Sequence, residues 1–300
     1  MATQLFSSHG FPLPLPAGHR FPLEKYELLW AGVVDEGLVP PGGVGVPAPA
    51  DDEMLMLVHD PAYVHAVVRG SLSAAEQRRI GFPWSVAMVE RSRRSVGATL
   101  AACRAALDTG VGVSLAGGTH HAFPGRGEGY CIFNDAAVAI RVLRRERAIQ
   151  RALVIDTDVH QGNGTAAIFR DDASTCTLDL YAERNFPFEK EPCDFAVPLP
   201  DGTGDDRYLE ALVTALASVL SGPPPDLAIY VSGADPFEGD RLGHLALTKA
   251  GLAARDDCVF SALGAAGIPV AVTMAGGYAD DIRDTVDIHC ATVRRALDGR

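Results

Sequence analysis

The sequence predicts a three-layer α/β/α fold built around a mostly parallel central sheet. Three observations carry that expectation. Short apolar runs rich in Val, Ile or Leu recur along the 300 residues, at 3–7, 111–115, 152–156, 175–180, 226–232 and 269–274. Helical patterns alternate with them, near 85–108, 134–147, 163–171, 205–221, 247–266 and 279–298. Acids, histidines and glycine turns fall just beyond several of the runs, where open α/β sheets gather ligand groups.

The elements follow in order. The 3–7 run is a first short strand. Residues 10–50 are rich in Pro and Gly, with a helix near 22–37 inside them. That segment is either an interaction arm or a packed loop system around a site mouth. After the helix at 85–108, Val111-Gly-Val-Ser-Leu115 reads as a buried strand, as do Ala152-Leu-Val-Ile-Asp156 and Leu227-Ala-Ile-Tyr-Val231. Gly222-Pro-Pro-Pro225 is a local break too short for a domain boundary. With no long linker and no internal repeat, a single domain over 1–300 is expected.

Composition narrows the function. A hydrophobic fraction of 47% suffices for a sizeable core, and no run approaches the ~18 apolar residues of a membrane span. The first ten residues lack a basic region followed by an apolar stretch, so no secretory signal is expected. A formal charge of -12 argues against nonspecific nucleic-acid binding. It is compatible with a cationic substrate such as a lysine-rich peptide or polyamine, and is also common in soluble cytosolic proteins. Six cysteines without a CxxC pair read as reduced, mostly buried thiols, consistent with the cytoplasm.

Asp156-Thr-Asp158-Val-His160 and the later Gly233-Ala-Asp235 carry the strongest chemical signal. Alternate side chains of a strand share a face, so Asp158 and His160 can point the same way from one strand end. Asp235, from another strand end, would supply a third ligand and leave one position of a tetrahedral zinc open for water. Asp156 is either a helix cap or an acid that orients a neighbour. His120-His121, after a Gly117-Gly118 turn, are either surface residues or proton carriers, with Asp156 and Asn163 as partners to fix their tautomers. In Gly276-Gly277-Tyr278, the tyrosine either packs or donates to a substrate carbonyl oxygen. Gly129-Tyr130 and Asn185-Phe186-Pro187-Phe188 either wall a channel or serve the core.

Five motifs in order now identify a resemblance. Gly117-Gly-Thr-His-His-Ala122, Gly129-Tyr-Cys-Ile-Phe-Asn-Asp135, Asp156-Thr-Asp-Val-His-Gln-Gly-Asn-Gly-Thr165, Gly233-Ala-Asp-Pro236 with Asp240-Arg-Leu-Gly243, and Ala275-Gly-Gly-Tyr278 resemble the histone deacetylase superfamily. The likeness runs from about residue 5 to residue 297. Arg79-Ile-Gly-Phe-Pro-Trp-Ser85, Gln161-Gly-Asn163 and Asp281-Ile-Arg-Asp-Thr-Val286 look most like its class IV group and bacterial relatives. The resemblance implies an arginase/deacetylase-like fold, one zinc per chain held by Asp158, His160 and Asp235, and His121 as general base and later acid. It makes His120, paired with Asp156, an electrostatic assistant, and Tyr278 the group that polarises the amide carbonyl. Gly129, Tyr130 and Phe186, with Gly276 and Gly277, would line an acyl-lysine tunnel. A potassium ion would be held by backbone carbonyls of Asp156, Asp158 and His160, with Thr177 and Leu178.

Two positions depart from the family pattern. Asn163 stands where part of the family has an aspartate, so no charge there would raise the proton affinity of His121. Tyr130 replaces the phenylalanine common in the tunnel. The acidic loop residue with which many relatives hold the substrate backbone has no match. The expected reaction is zinc-dependent hydrolysis of an N-acyl amine, with acyl-lysine in proteins first among substrates. A small-molecule amidohydrolase acting on acetylpolyamines, or a deacylase for longer acyl chains, would share the same motifs. A two-metal manganese hydrolase resembling arginase would need further aspartates. A metal-bound ligand sensor would have lost a ligand, histidine or tyrosine, and all are present.

Overall fold

The computed structural model describes residues 4–298. Among these residues, eight strands form one sheet: β1 (Gln4–Phe6), β2 (Val44–Gly45), β3 (Val111–Ser114), β4 (Ala152–Asp156), β5 (Thr175–Ala182), β6 (Phe195–Leu199), β7 (Leu227–Ser232) and β8 (Val270–Met274). Their order is β2-β1-β3-β8-β7-β4-β5-β6, and every neighbouring pair is parallel. The sheet is therefore wholly rather than mostly parallel.

Among the described residues, ten helices connect and cover it: α1 (Lys25–Asp35), α2 (Asp52–Leu55), α3 (Pro61–Arg69), α4 (Ala74–Ile80), α5 (Val86–Thr109), α6 (Asp135–Arg145), α7 (Asn163–Phe169), α8 (Asp205–Leu220), α9 (Lys249–Ala265) and α10 (Ile282–Asp298). The three layers are legible in the alternation along single strands. Leu153, Ile155, Ala228 and Tyr230 pack with α1, α8, α9 and α10 on one face. Ala152, Val154, Leu227 and Ile229 pack with α3, α5 and α6 on the other. Strands β4, β7 and β8 are buried at every position, which explains their unbroken apolar runs.

The elements without a strong periodic signal lie at the periphery. Strand β6 is the sheet edge; its exposure alternates, and it tolerates Pro198. Strand β2, only two residues long, forms the opposite edge inside the Pro/Gly-rich segment. Helices α2 to α4 fill residues 51–84, to which the sequence pattern assigned no element. Their signals are at their ends. Ser73 and Glu76 form a reciprocal capping box at the start of α4, Pro61 opens α3, and Gly70 and Gly81 close α3 and α4 in the left-handed conformation.

The order of the central strands positions the site. β3, β8, β7, β4 and β5 are consecutive neighbours, all running the same way. The loops that leave their carboxyl ends therefore open on one rim of the molecule.

Candidate metal centre and tunnel

Strand β4 ends at Asp156, and the chain turns immediately through Asp158 and His160. Asp235 arrives from the loop after β7, next door. One ligand atom from each of Asp158, His160 and Asp235 lies within 4.8 Å of the others. The loops hold these groups by their backbone. His160 N–H donates to Asp158 Oδ1 (2.9 Å), Gly276 N–H to Asp158 Oδ2 (2.8 Å), and Val159 N–H to Asp235 Oδ1 (2.9 Å). His160 Nδ1 lies 2.9 Å from Asp158 Oδ1 and 3.3 Å from Asp235 Oδ2.

The donor set fits a zinc ion. Asp235 Oδ2 is buried and receives no hydrogen bond. Burial, then the Asp158 charge, pushes the Asp235 carboxyl up to about 7. Burial opposes the charge on His160, yet the neighbouring Asp158 and Asp235 carboxylates push it up to about 10. Two buried carboxylates thus favour positive charge in the cluster. The cradle is also shaped by glycine: a Cβ on Gly276 would stand 1.8 Å from Asp235 Oδ2 and 2.6 Å from Asp158 Oδ2. Two carboxylates and an imidazole are ordinary zinc ligands, and three leave a position open.

The two histidines from the loop after β3 sit beside this cluster with different partners. His120 Nδ1 meets Asp156 Oδ2 at 2.7 Å, and His121 Nδ1 meets Asn163 Oδ1 at 2.8 Å. Burial opposes a charge on His120, but Asp156 and Asp158 outweigh it and push the ring up to about 9. His121 is held well below the ordinary histidine range by burial and by its neighbours His120 and His160. Asn163 decides which nitrogen of His121 carries the proton. Its Nδ2 donates to Glu128 Oε1 (2.7 Å) and its Oδ1 accepts from Gly164 N–H (3.0 Å), so that oxygen faces His121 as an acceptor. His121 is then protonated on Nδ1 and presents a free lone pair on Nε2.

Tyr278 closes the opposite side. Its backbone N–H donates to Asp240 Oδ2 (2.6 Å), and its carbonyl accepts from Arg241 Nε (2.9 Å). Burial, then Asp235 and Asp158, raises its hydroxyl well above the ordinary phenol range, so it remains a donor. Lys25 is buried, donates to Ala275 O (3.0 Å) and lies 5.4 Å from the Tyr278 ring centre. Neither Lys25 nor Glu128 was singled out from the sequence, because their partners lie far away in the chain. Asp240 was visible as part of a motif, but not as the anchor of Tyr278.

A cavity of about 660 Å³ reaches these groups from the surface. Gly129, Tyr130, Phe186, Gly276 and Tyr278 line it; Gly277 does not. The Phe186 ring stands edge-on to His121 with centres 5.0 Å apart. Gly129 has φ +56, and a Cβ there would lie 2.7 Å from His121 Cδ2 and 3.3 Å from Phe186, so glycine is required by both conformation and space. Tyr130 packs with Phe21 and Phe82. The Pro/Gly-rich segment is packed at the mouth, where Arg20, Phe21, Lys25 and Tyr26 reach the cavity, joined by Arg79, Ile80 and Gly81.

Thr177 and Leu178, expected at a potassium site, lie on the strand beside the one that ends at Asp156. Thr177 and Leu178 pair with Val154 and Ile155, two positions and one position before Asp156. Thr177 is also engaged elsewhere, since its hydroxyl and amide both donate to Asp194 Oδ2. Asp179 is the residue opposite Asp156. Its Oδ2 accepts from Gly162 N–H (2.8 Å), and its buried Oδ1 has no partner.

Comparisons with known proteins agree with this geometry. Residues 19–293 match the family model described as the histone deacetylase domain. The chain is 44% identical over 297 residues to an uncharacterized protein of Picosynechococcus, covering 96% of this chain and 99% of that one. It is 30% identical over 278 residues to histone deacetylase 2 of Arabidopsis thaliana, covering 87% of this chain and 70% of that protein. The acetoin utilization protein AcuC of Bacillus subtilis is 35% identical over 229 residues, which are 69% of this chain and 59% of AcuC. Among solved structures, an HDAC homolog complexed with SAHA superimposes with a TM-score of 0.87 at 25% identity, over 99% of this chain and 84% of that one. The HDAC homolog from Aquifex aeolicus gives 0.86 at 24% identity, with the same coverage, and speaks to the fold.

Proposed function

The chain belongs to the histone deacetylase family, and from that premise we propose that it is a zinc-dependent deacylase that hydrolyses the amide of an N-acyl amine, first of all acyl-lysine. The observation that carries the reading is the joint presence of a two-carboxylate, one-imidazole cradle, with the buried Oδ2 of Asp235 left without a hydrogen bond, and a buried, neutral His121 beside it. Asp158, His160 and Asp235 would hold one zinc ion. When bound there, zinc supplies Lewis acidity and brings the pKa of a coordinated water towards ~7.

The remaining work falls to the chain itself. His121 accepts the proton of the attacking water on Nε2 and later returns it to the leaving nitrogen. Asn163 keeps His121 in the tautomer that permits this. His120, held cationic by Asp156, adds positive charge where negative charge develops. Tyr278 donates its hydroxyl to the carbonyl oxygen, a bond worth roughly 3 kcal/mol in such sites. Gly129, Tyr130 and Phe186 form the walls along which a lysine-like chain passes, leaving the rest of the amine component at the mouth. A potassium ion would be held by backbone carbonyls of Asp156, Asp158 and His160, with Thr177 and Leu178 of the neighbouring strand.

The test is a series of acyl-lysine peptides of increasing acyl length, together with acetylpolyamines, supplied to zinc-loaded protein. Hydrolysis of a lysine derivative supports the reading. Turnover of acetylpolyamines alone moves the assignment to a small-molecule amidohydrolase, and no turnover of either class ends the deacylase assignment.

A further inference from the structure

The chain carries a formal charge of -12, yet the opening of its catalytic cavity is basic. Arg20, Arg78, Arg79 and Arg184 all line that cavity, and all four are exposed. The ion pairs around the opening use other groups: Arg126 with Glu128, Arg241 with Asp280, and His244 with Asp201. Among the described residues, none of the four arginines has a carboxylate partner or donates a side-chain hydrogen bond.

The acids lining the same cavity do not offset them. Asp158 lies at the floor in the metal cradle, and Glu128 is engaged by the Asn163 amide and by Arg126. Four guanidinium groups from three separate stretches therefore face one entrance with free donors. Free arginines gathered at a cleft are attractive to anions, because low-dielectric walls focus the field and the planar fork matches carboxylate or phosphate. The overall acidity of the chain, which alone would suit a lysine-rich peptide or polyamine, is locally reversed where the substrate enters.

We propose that Arg20, Arg78, Arg79 and Arg184 select N-acyl amines that carry carboxylate or phosphate groups on the amine side of the scissile bond, and disfavour cationic ones. The proposal rests on the deacylase reading, which puts the amine component at the mouth. The anionic group could belong to acidic residues flanking an acyl-lysine in a protein, or to the carboxylate of a small acylated amine.

The experiment compares acetyl-lysine peptides of one length with Asp, Ser or Lys at the flanking positions. A small N-acetyl amine ending in a carboxylate is run beside the same compound ending in an amide. Specificity constants are measured with zinc-loaded protein, and binding of the labelled peptides is followed separately by fluorescence anisotropy. The Asp peptide is expected to exceed the Lys peptide by about ten-fold or more at low salt. The ratio should shrink at about 0.5 M salt, where screening acts over a few ångströms. In the Arg78→Glu/Arg79→Glu variant the order should invert. A preference shared by the small carboxylate over its amide points to a compact acidic substrate; one confined to the peptides points to acidic protein segments. Equal rates and affinities for the three peptides, or a preference for Lys, overturn the proposal. If none of the peptides is turned over, the deacylase reading falls, while the order of binding still decides the charge preference.

Discussion

At the residue scale, Asn163 and Glu128 define what His121 can do. A carboxylate on one side of the amide forces its oxygen to the other, and that oxygen fixes the proton on His121 Nδ1. Replacing His121 with Ala should lower kcat by about 10² to 10⁴ while zinc content, read by metal analysis, stays unchanged. Asn163→Leu should lower kcat by about 10- to 100-fold for loss of the orienting bond. Equal activity of the His121→Ala variant would place the reactive centre elsewhere. That Asp158, Asp235, both histidines and Tyr278 gather at one place was legible because strand ends, glycine turns and titratable residues coincide in the sequence. Lys25 is not legible, because it reaches Ala275 across 250 positions.

At the element scale, the loops after β7 and β8 are held by packing beneath them. Gly276 leaves no room for a side chain, so Gly276→Ala should fold but bind zinc markedly less tightly, as isothermal titration would read. Arg255 of α9, fully buried, donates to Gly233 O just before Asp235, to Ser232 and to Asp256. Asp256 in turn accepts from Tyr230 of β7 and Thr292 of α10. Arg255→Met should destabilise the protein by about 3–5 kcal/mol in denaturant unfolding, because it strands the buried Asp256 charge. His59 ties the end of α2 to the start of α6: its Nδ1 donates to Phe123 O and its Nε2 accepts from Asn134 N–H. Burial holds this ring at about 4, below the ~6.5 of an unfolded chain, although the Phe123 carbonyl pulls the other way. Its contribution is thus complete above about pH 6.5 and is lost as pH falls towards 4, by about 3 kcal/mol in all. His59→Leu should flatten that part of the stability profile. Length made α5, α8, α9 and α10 readable, helped in α8 and α10 by a clear apolar period, whereas α2 to α4 are short and announced only by their caps.

At the scale of the whole molecule, the parallel sheet does the gathering. Its three-layer nature follows from apolar runs alternating with helices, but which strand ends meet depends on the order β3-β8-β7-β4-β5, and no local pattern encodes that order. The same limit applies to the mouth. Arg20, Arg78, Arg79 and Arg184 are ordinary surface residues in sequence and become a set only when the Pro/Gly-rich segment, α4 and the loop after β5 converge. Binding of zinc to the native state alone should raise the unfolding free energy, by about 2.7 kcal/mol at a hundred-fold excess over Kd, and a chelator should reverse the gain without erasing the helical signal.

The most direct measurement of the central claim is a zinc titration of chelator-stripped protein, with hydrolysis of an acyl-lysine peptide followed at each step, alongside an Asp235→Asn variant. Activity that rises to a plateau at one zinc per chain, with the variant binding less metal and showing no such rise, is the result expected. A plateau that requires two metal ions per chain, or a fully zinc-loaded protein that leaves every N-acyl amine intact, would contradict it.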